Sequence, residues 1–259
     1  MIDLVQSGWG ALDLHWWQAI AAIVAVSVGG TISGLTGFGF GLVIVPILLM
    51  IFSPVEVVIL SKSLSSGSSL PILLADWRLA RGKLIMRLII PAIAGMILGT
   101  QVLTHADTRF LKLLAGVAVI TFTAIVLRGF IIPGIRSRLA PVVAGFASGV
   151  LGTATGMAGP PVVLFLTDRE LPPRVFRASI MAYFVSTDLV AAVLIIQAGL
   201  VGRREMYVAL MLLPFALVGR RIGQRFLNRV DQAQFRKLTL ALLVVTGTVA
   251  MVTAIVGFL

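Results

Sequence analysis

Cysteine is missing from this chain altogether, so disulfides, thiol nucleophiles and thiolate metal sites play no part in it. Histidine is nearly missing as well, with only His15 and His105, and no HExxH or GxSxG phrase occurs. That excludes the usual nucleophile and metal constellations of an enzyme, and no cofactor fingerprint replaces them, because Gly37, Gly39 and Gly41 lack the spacing of a dinucleotide-binding loop. Charge is scarce too: 12% of the residues are charged and 59% hydrophobic, against roughly a quarter and a half in soluble domains. With a mean hydropathy of +1.07 and several apolar runs near the ~20 residues that cross a ~30 Å hydrocarbon core, the chain reads as an integral membrane protein in a lipid bilayer. The runs are continuous and do not alternate, which argues for helices and against a barrel.

Acids are the scarcer charge, 10 against 21 basic residues, for a formal net charge of +11. In a soluble protein this balance would suggest a nucleic-acid partner. Here the basic residues fall in short loops between apolar runs, so they report topology and no nucleic acid is expected. Four loops carry most of them: Arg78, Arg81, Lys83 and Arg87; Arg128, Arg136 and Arg138; Arg169, Arg174 and Arg177; and Arg220, Arg221, Arg225, Arg229, Arg236 and Lys237. The alternate loops hold only Arg109, Lys112, Arg203 and Arg204. This bias places the four loops on the cytoplasmic side of the membrane and both termini on the outer side. Residues 1–18 carry no Lys or Arg and so read as an interfacial segment anchored by Trp9, Trp16 and Trp17, without the basic start of a cleaved signal.

Apolar elements fall near 19–35, 41–52, 57–75, 84–104 and 109–128, and again near 139–151, 157–168, 175–199, 206–226 and 235–258. The two halves are copies. Pairing Gly30 with Gly145 also pairs Ser33 with Ser148, Gly34 with Gly149, Gly37 with Gly152, Gly41 with Gly156 and Pro46 with Pro161, all 115 residues apart; Gly95, Gly99 and Asp107 recur 124 residues on as Gly219, Gly223 and Asp231. The expected organisation is an interfacial segment (1–18), a first repeat (19–128), a basic cytoplasmic linker (129–138) and a second repeat (139–259) forming one membrane domain. With about five elements per half, the copies have inverted topology, and the short second element of each suits a broken or re-entrant helix of the kind secondary transporters use.

The chemistry gathers at these breaks. Gly37, Gly39 and Gly41 each weaken a helix by about 1 kcal/mol, and Gly156, Gly159, Pro160 and Pro161 interrupt the second copy in the same way. New helix N-termini are expected near Leu42 and Pro161, with free N–H groups and a positive dipole end suited to an anion. Ser33, Thr36, Ser148, Thr153 and Thr155 add hydroxyls beside the breaks, and Gly152 belongs to the same phrase. Lys62 and Arg177, also 115 apart, are expected at opposite mouths of the pathway as symmetry-related anion attractors. Asp188 lies inside an apolar run, where an acid costs about 2.5 kcal/mol or more. A carboxyl there could carry a proton and couple anion movement to protons. Glycine pairs four apart (Gly30/Gly34, Gly95/Gly99, Gly145/Gly149 and Gly219/Gly223) allow close helix contacts, within the chain or in a homodimer.

The phrase Gly34-Leu-Thr-Gly37-Phe-Gly-Phe-Gly41 through Pro46, its echo Gly149-Val-Leu-Gly152 through Gly156-Met-Ala-Gly159-Pro160-Pro161, and Phe176-Arg177-Ala178-Ser179 resemble the sulfite exporter TauE/SafE family, also called the toluene sulfonate uptake permease family. The resemblance covers essentially the whole chain. It implies a bacterial inner-membrane carrier for sulfite, sulfoacetate or other organosulfonates, some members moving protons as well. Helix N-termini alone would equally admit a carboxylate or phosphate ester, and an anion channel is the other transport class.

Overall fold

A computed structural model describes residues 15–127 and 137–227, and every regular element among them is helical. The elements are α1 (Trp16–Thr36), α2 (Phe40–Leu48), α3 (Pro54–Asp76) with a short 3₁₀ turn (Trp77–Leu79), α4 (Gly82–His105), α5 (Thr108–Leu127), α6 (Ala140–Thr155), α7 (Gly159–Thr167), α8 (Pro173–Gln197) and α9 (Arg203–Leu227). Each expected element up to residue 226 is present within a few residues. Trp9, most of the basic linker, Asp231 and the run at 235–258 lie outside the described residues.

Among the described residues, five helices are long and apolar enough to cross a membrane: α1, α3 with its 3₁₀ turn, α4, α8 and α9. Their outward faces expose Val24, Ile90, Val193 and Leu210, the inverse of a soluble surface and suited to lipid contact. Together with the composition, this makes the chain a multi-pass membrane protein. Trp16 and Trp17 are exposed at the start of α1. The helix α2 and its counterpart α7 are nine residues each, roughly 14 Å at 1.5 Å per residue, and too short to span.

The halves repeat one another contact for contact, in a register different from the one expected. In α1 and α9, a Cβ on Gly219 would collide with the Ser27 carbonyl, one on Gly223 with that of Thr31, and one on Gly30 with that of Ala216. In α6 and α4, the same collisions join Gly95 to Phe146, Gly99 to Val150 and Gly149 to Ala92. Every pair maps onto its mate when the first helix shifts by 119 residues and the fourth by 124. The helix ends agree: Gly37 (φ +87°) and Gly156 (φ +80°), 119 apart, close α1 and α6 in the left-handed conformation. Phe38 N–H donates to Thr36 Oγ1, and Met157 N–H to Thr155 Oγ1, both at 3.3 Å.

The expected separation of 115 is therefore one helical turn short. A GxxxG pattern overlaps itself after a slip of four, so Gly30/Gly34 aligns with Gly145/Gly149 as readily by residue type as in its true frame, where Gly30 matches Gly149 and Gly34 matches Thr153. The separation of 124 for Gly95 and Gly99 stands. All eight of these glycines face another helix of the same chain at distances only a hydrogen permits.

Candidate anion site between the two helix breaks

Each half's broken helix ends against the third helix of the other half. The Gly37 break packs on Ile180 and Arg177 of α8, and the Gly156 break on Ser61 of α3. Ser61 donates to the Gly156 carbonyl at 3.2 Å, and a Cβ on Gly41 would lie 2.5 Å from that same oxygen. The two breaks therefore touch. Between them is a cavity of about 30 Å³, enough for one water, lined by Ser33, Phe38, Gly39, Phe40, Gly41, Leu42, Ser61, Lys62, Ser65, Gly156, Met157, Ala158, Gly159, Phe184 and Asp188.

The helices beyond the breaks begin at Phe40 and Gly159, two residues before the expected starts. Their first turns, Phe40 to Leu42 and Gly159, form part of the cavity wall, so the N–H groups of α2's first turn and the single N–H of Gly159, ahead of two prolines that have none, lie there. The breaks differ in detail. Gly37 and Gly39 are both left-handed (φ +87° and +88°), whereas in the second half only Gly156 is, and Pro160 and Pro161 start α7 directly.

Lys62 and Asp188 form the charged part of the wall. Lys62 Nζ donates to Asp188 Oδ1 at 2.8 Å, with the two side chains 7% and 3% exposed. Lys62 stands nine residues into α3, so it is central and not at the mouth where the sequence placed it. Gly152 makes room for it, since a Cβ there would lie 3.2 Å from Nζ. Asp188 Oδ2 is buried with no hydrogen bond of good geometry, and the Ser65 hydroxyl is the neighbouring side-chain donor that interacts with this carboxylate.

Arg177 is elsewhere. Its Nη2 donates to Asp76 Oδ2 at 2.5 Å and its Nη1 to the Gly34 carbonyl at 3.2 Å, which sets a cation against the C-terminal end of α1, where the helix dipole favours it. In the true register Lys62 corresponds to Met181 and Arg177 to Val58, so the two cations are not symmetry mates.

Of the expected site residues, Ser33, Gly39, Gly41, Lys62, Gly156, Gly159 and Asp188 meet at the cavity. Gly37 forms the first break beside them, and Pro161 sits in the first turn of α7, off the cavity wall. The hydroxyls of Thr36, Thr153 and Thr155 donate to Ile32, Gly149 and Leu151 carbonyls at 2.7–2.9 Å, and Ser148 donates to Ala158 at 2.6 Å while accepting from Tyr183. These four brace the breaks, because a hydroxyl in an apolar interior bonds the nearest carbonyl. Ser33, among the described residues, has no such partner and lines the cavity.

One residue escaped the sequence reading. Arg220 was counted with a basic loop, yet it is 1% exposed. Its guanidinium lies 5.6 Å from the Phe40 ring centroid and its Nη2 donates to the Ser65 carbonyl at 3.4 Å, while Nε and Nη1 are buried with no partner. The signal was present: Val208, Leu212 and Ala216 precede it at four-residue steps on the buried face of α9, and Arg220 is the next position on that face.

A profile of the family described as sulfite exporter TauE/SafE matches residues 21–250. A curated protein of Cupriavidus necator named "Probable sulfite/organosulfonate exporter TauE" is 24% identical over 240 residues, covering 85% of this chain and 89% of that protein. No solved structure matches the chain.

Proposed function

This chain belongs to the sulfite exporter TauE/SafE family, and we propose that it is a secondary transporter of small sulfur oxyanions, among them sulfite, sulfoacetate and other organosulfonates, across the bacterial inner membrane. The observation that carries the proposal is the meeting of two helix breaks at a small cavity holding a buried Lys62–Asp188 pair. The N–H groups opening α2, the Gly159 N–H at the start of α7, the Ser33 hydroxyl and the Lys62 ammonium supply donors on several sides of one small volume, which suits a group with several acceptor oxygens. The relative's name, with its sulfite and organosulfonate, agrees with that chemistry.

With no substrate bound, Asp188 occupies Lys62 as an internal anion would. When a substrate brings a proton with it, that proton on Asp188 frees the ammonium, and the return of the pair expels both. Inverted halves with both termini in the periplasm would let the two helix pairs, α1 with α9 and α4 with α6, rock as units about the breaks and open the cavity to each side in turn.

The test is uptake of labelled sulfite into proteoliposomes containing the purified protein, with and without a pH gradient and with sulfoacetate as competitor. Saturable, sulfoacetate-sensitive uptake that rises with the gradient is the expected result. Uptake no greater than in empty liposomes, with acetate or a phosphate ester carried instead, would retire the sulfur-oxyanion class.

A further inference from the structure

Among the described residues, one cation and one carboxylate line the cavity, and a second buried cation stands behind its wall. Lys62 lines the cavity, and Arg220 stands one side chain behind the wall: the ring beneath its guanidinium is Phe40 and the carbonyl it bonds is that of Ser65, both wall residues. Phe40 and Ser65 thus stand between the guanidinium and the cavity, and its Nε and Nη1 are left without partners. Arg220 and Asp188 already interact electrostatically. An uncompensated charge in this interior costs several kcal/mol, so the loaded site favours electrical neutrality.

We propose that Arg220 is the second anion-binding residue and that the site takes one net negative charge, so that a monoanion enters alone and a dianion enters with one proton, held on Asp188 Oδ2. This rests on the carrier reading above and gives it a rule: the protons accompanying an anion number its valence less one. The proton comes from solvent on the entry side, converts the Asp188 carboxylate to the acid and leaves on the other side with the anion.

The groups facing Asp188 allow this accounting. Lys62 approaches from α3 and Arg220 from α9, α7 has no charged residue, and α4 has none between Leu88 and Thr104. On α8 itself the Tyr183 hydroxyl is engaged with Ser148 and Arg177 with Asp76.

Isethionate carries one negative charge and sulfoacetate two throughout about pH 6 to about pH 8, so proteoliposome uptake of the two separates the cases. The expected result is isethionate uptake indifferent to an imposed proton gradient and sulfoacetate uptake raised about tenfold by it. Asp188→Asn should carry sulfoacetate without gradient dependence. Arg220→Gln should weaken isethionate at least tenfold, and Arg220→Lys should restore most of that, with monodisperse elution confirming that each variant folds. An equal gradient response for both sulfonates, or a folded Arg220→Gln that transports isethionate like the parent, would overturn the proposal. If neither sulfonate moves, acetate and oxalate take their places: a gradient response confined to oxalate keeps the charge rule while retiring the sulfur-oxyanion reading, and equal responses retire the rule.

Discussion

The two halves of this protein share a skeleton and differ in charge. Helix ends, glycine contacts and hydroxyl caps recur at 119 and 124 residues, down to Ser68 bonding Leu64 and Thr187 bonding Tyr183 through the same four-residue return. The charged interior positions do not recur: Lys62 corresponds to Met181, Arg177 to Val58, Asp188 to Ser69 and Arg220 to Met96, and all eight residues are buried. Packing is therefore what the duplication preserves, while each charge was placed in one half only. Both halves build the cavity, but the electrostatics that would hold an anion are asymmetric.

The harshest way to break the comparison is to fill a helix contact in each half. Gly223→Leu drives a side chain into the Thr31 carbonyl and Gly99→Leu into that of Val150. Each is expected to cost more than about 3 kcal/mol and to remove the monodisperse peak in size-exclusion chromatography. A large difference between the two would show that the halves are not mechanically equivalent.

Copying the uncharged half into the site is the next test. Lys62→Met leaves Asp188 buried and unpaired, an expected loss of about 3–5 kcal/mol in thermal unfolding with transport abolished. Lys62→Met combined with Asp188→Ser, the full symmetric replacement, is expected to regain most of that stability and none of the transport. Recovery of transport in the double variant would mean that the asymmetry has no part in function.

Arg177→Val, again the counterpart, removes donors from Gly34 and Asp76. Asp76 is 28% exposed at its side chain and can turn to solvent, so the expected loss is only about 1–2 kcal/mol, read as a lowered unfolding midpoint. The mildest change is Gly82→Ala at the first residue of α4, where a Cβ meets nothing within 4 Å. It is expected to raise stability by about 0.4–1 kcal/mol without changing uptake.

What the sequence made legible follows the same division. The elements, the two short second helices and the doubled glycine phrase were readable because hydrophobic runs and glycine clusters are local signals. Register was not, because a motif of period four cannot distinguish a shift of four; only the collisions of Gly95 and Gly219 with particular carbonyls decide it. Lys62 and Asp188 were singled out separately, but nothing local joins residues 126 positions apart. Arg220 was hidden by Arg221 and Arg225, exposed neighbours on the same helix that gave the segment the look of a basic loop. The hydroxyls of Thr36, Ser148, Thr153 and Thr155 were readable as being near the breaks, whereas their engagement by backbone carbonyls depends on helix geometry.

The absence of cysteine makes the central claim, a cavity between the breaks that holds an anion and opens to each side in turn, directly measurable. A single Ser33→Cys in proteoliposomes would be exposed to a membrane-impermeant thiosulfonate reagent from outside or from the lumen, with and without isethionate. Labelling from either face, slowed at least tenfold by isethionate, is the predicted result. Labelling from neither face, or labelling that isethionate leaves unchanged, would contradict the account.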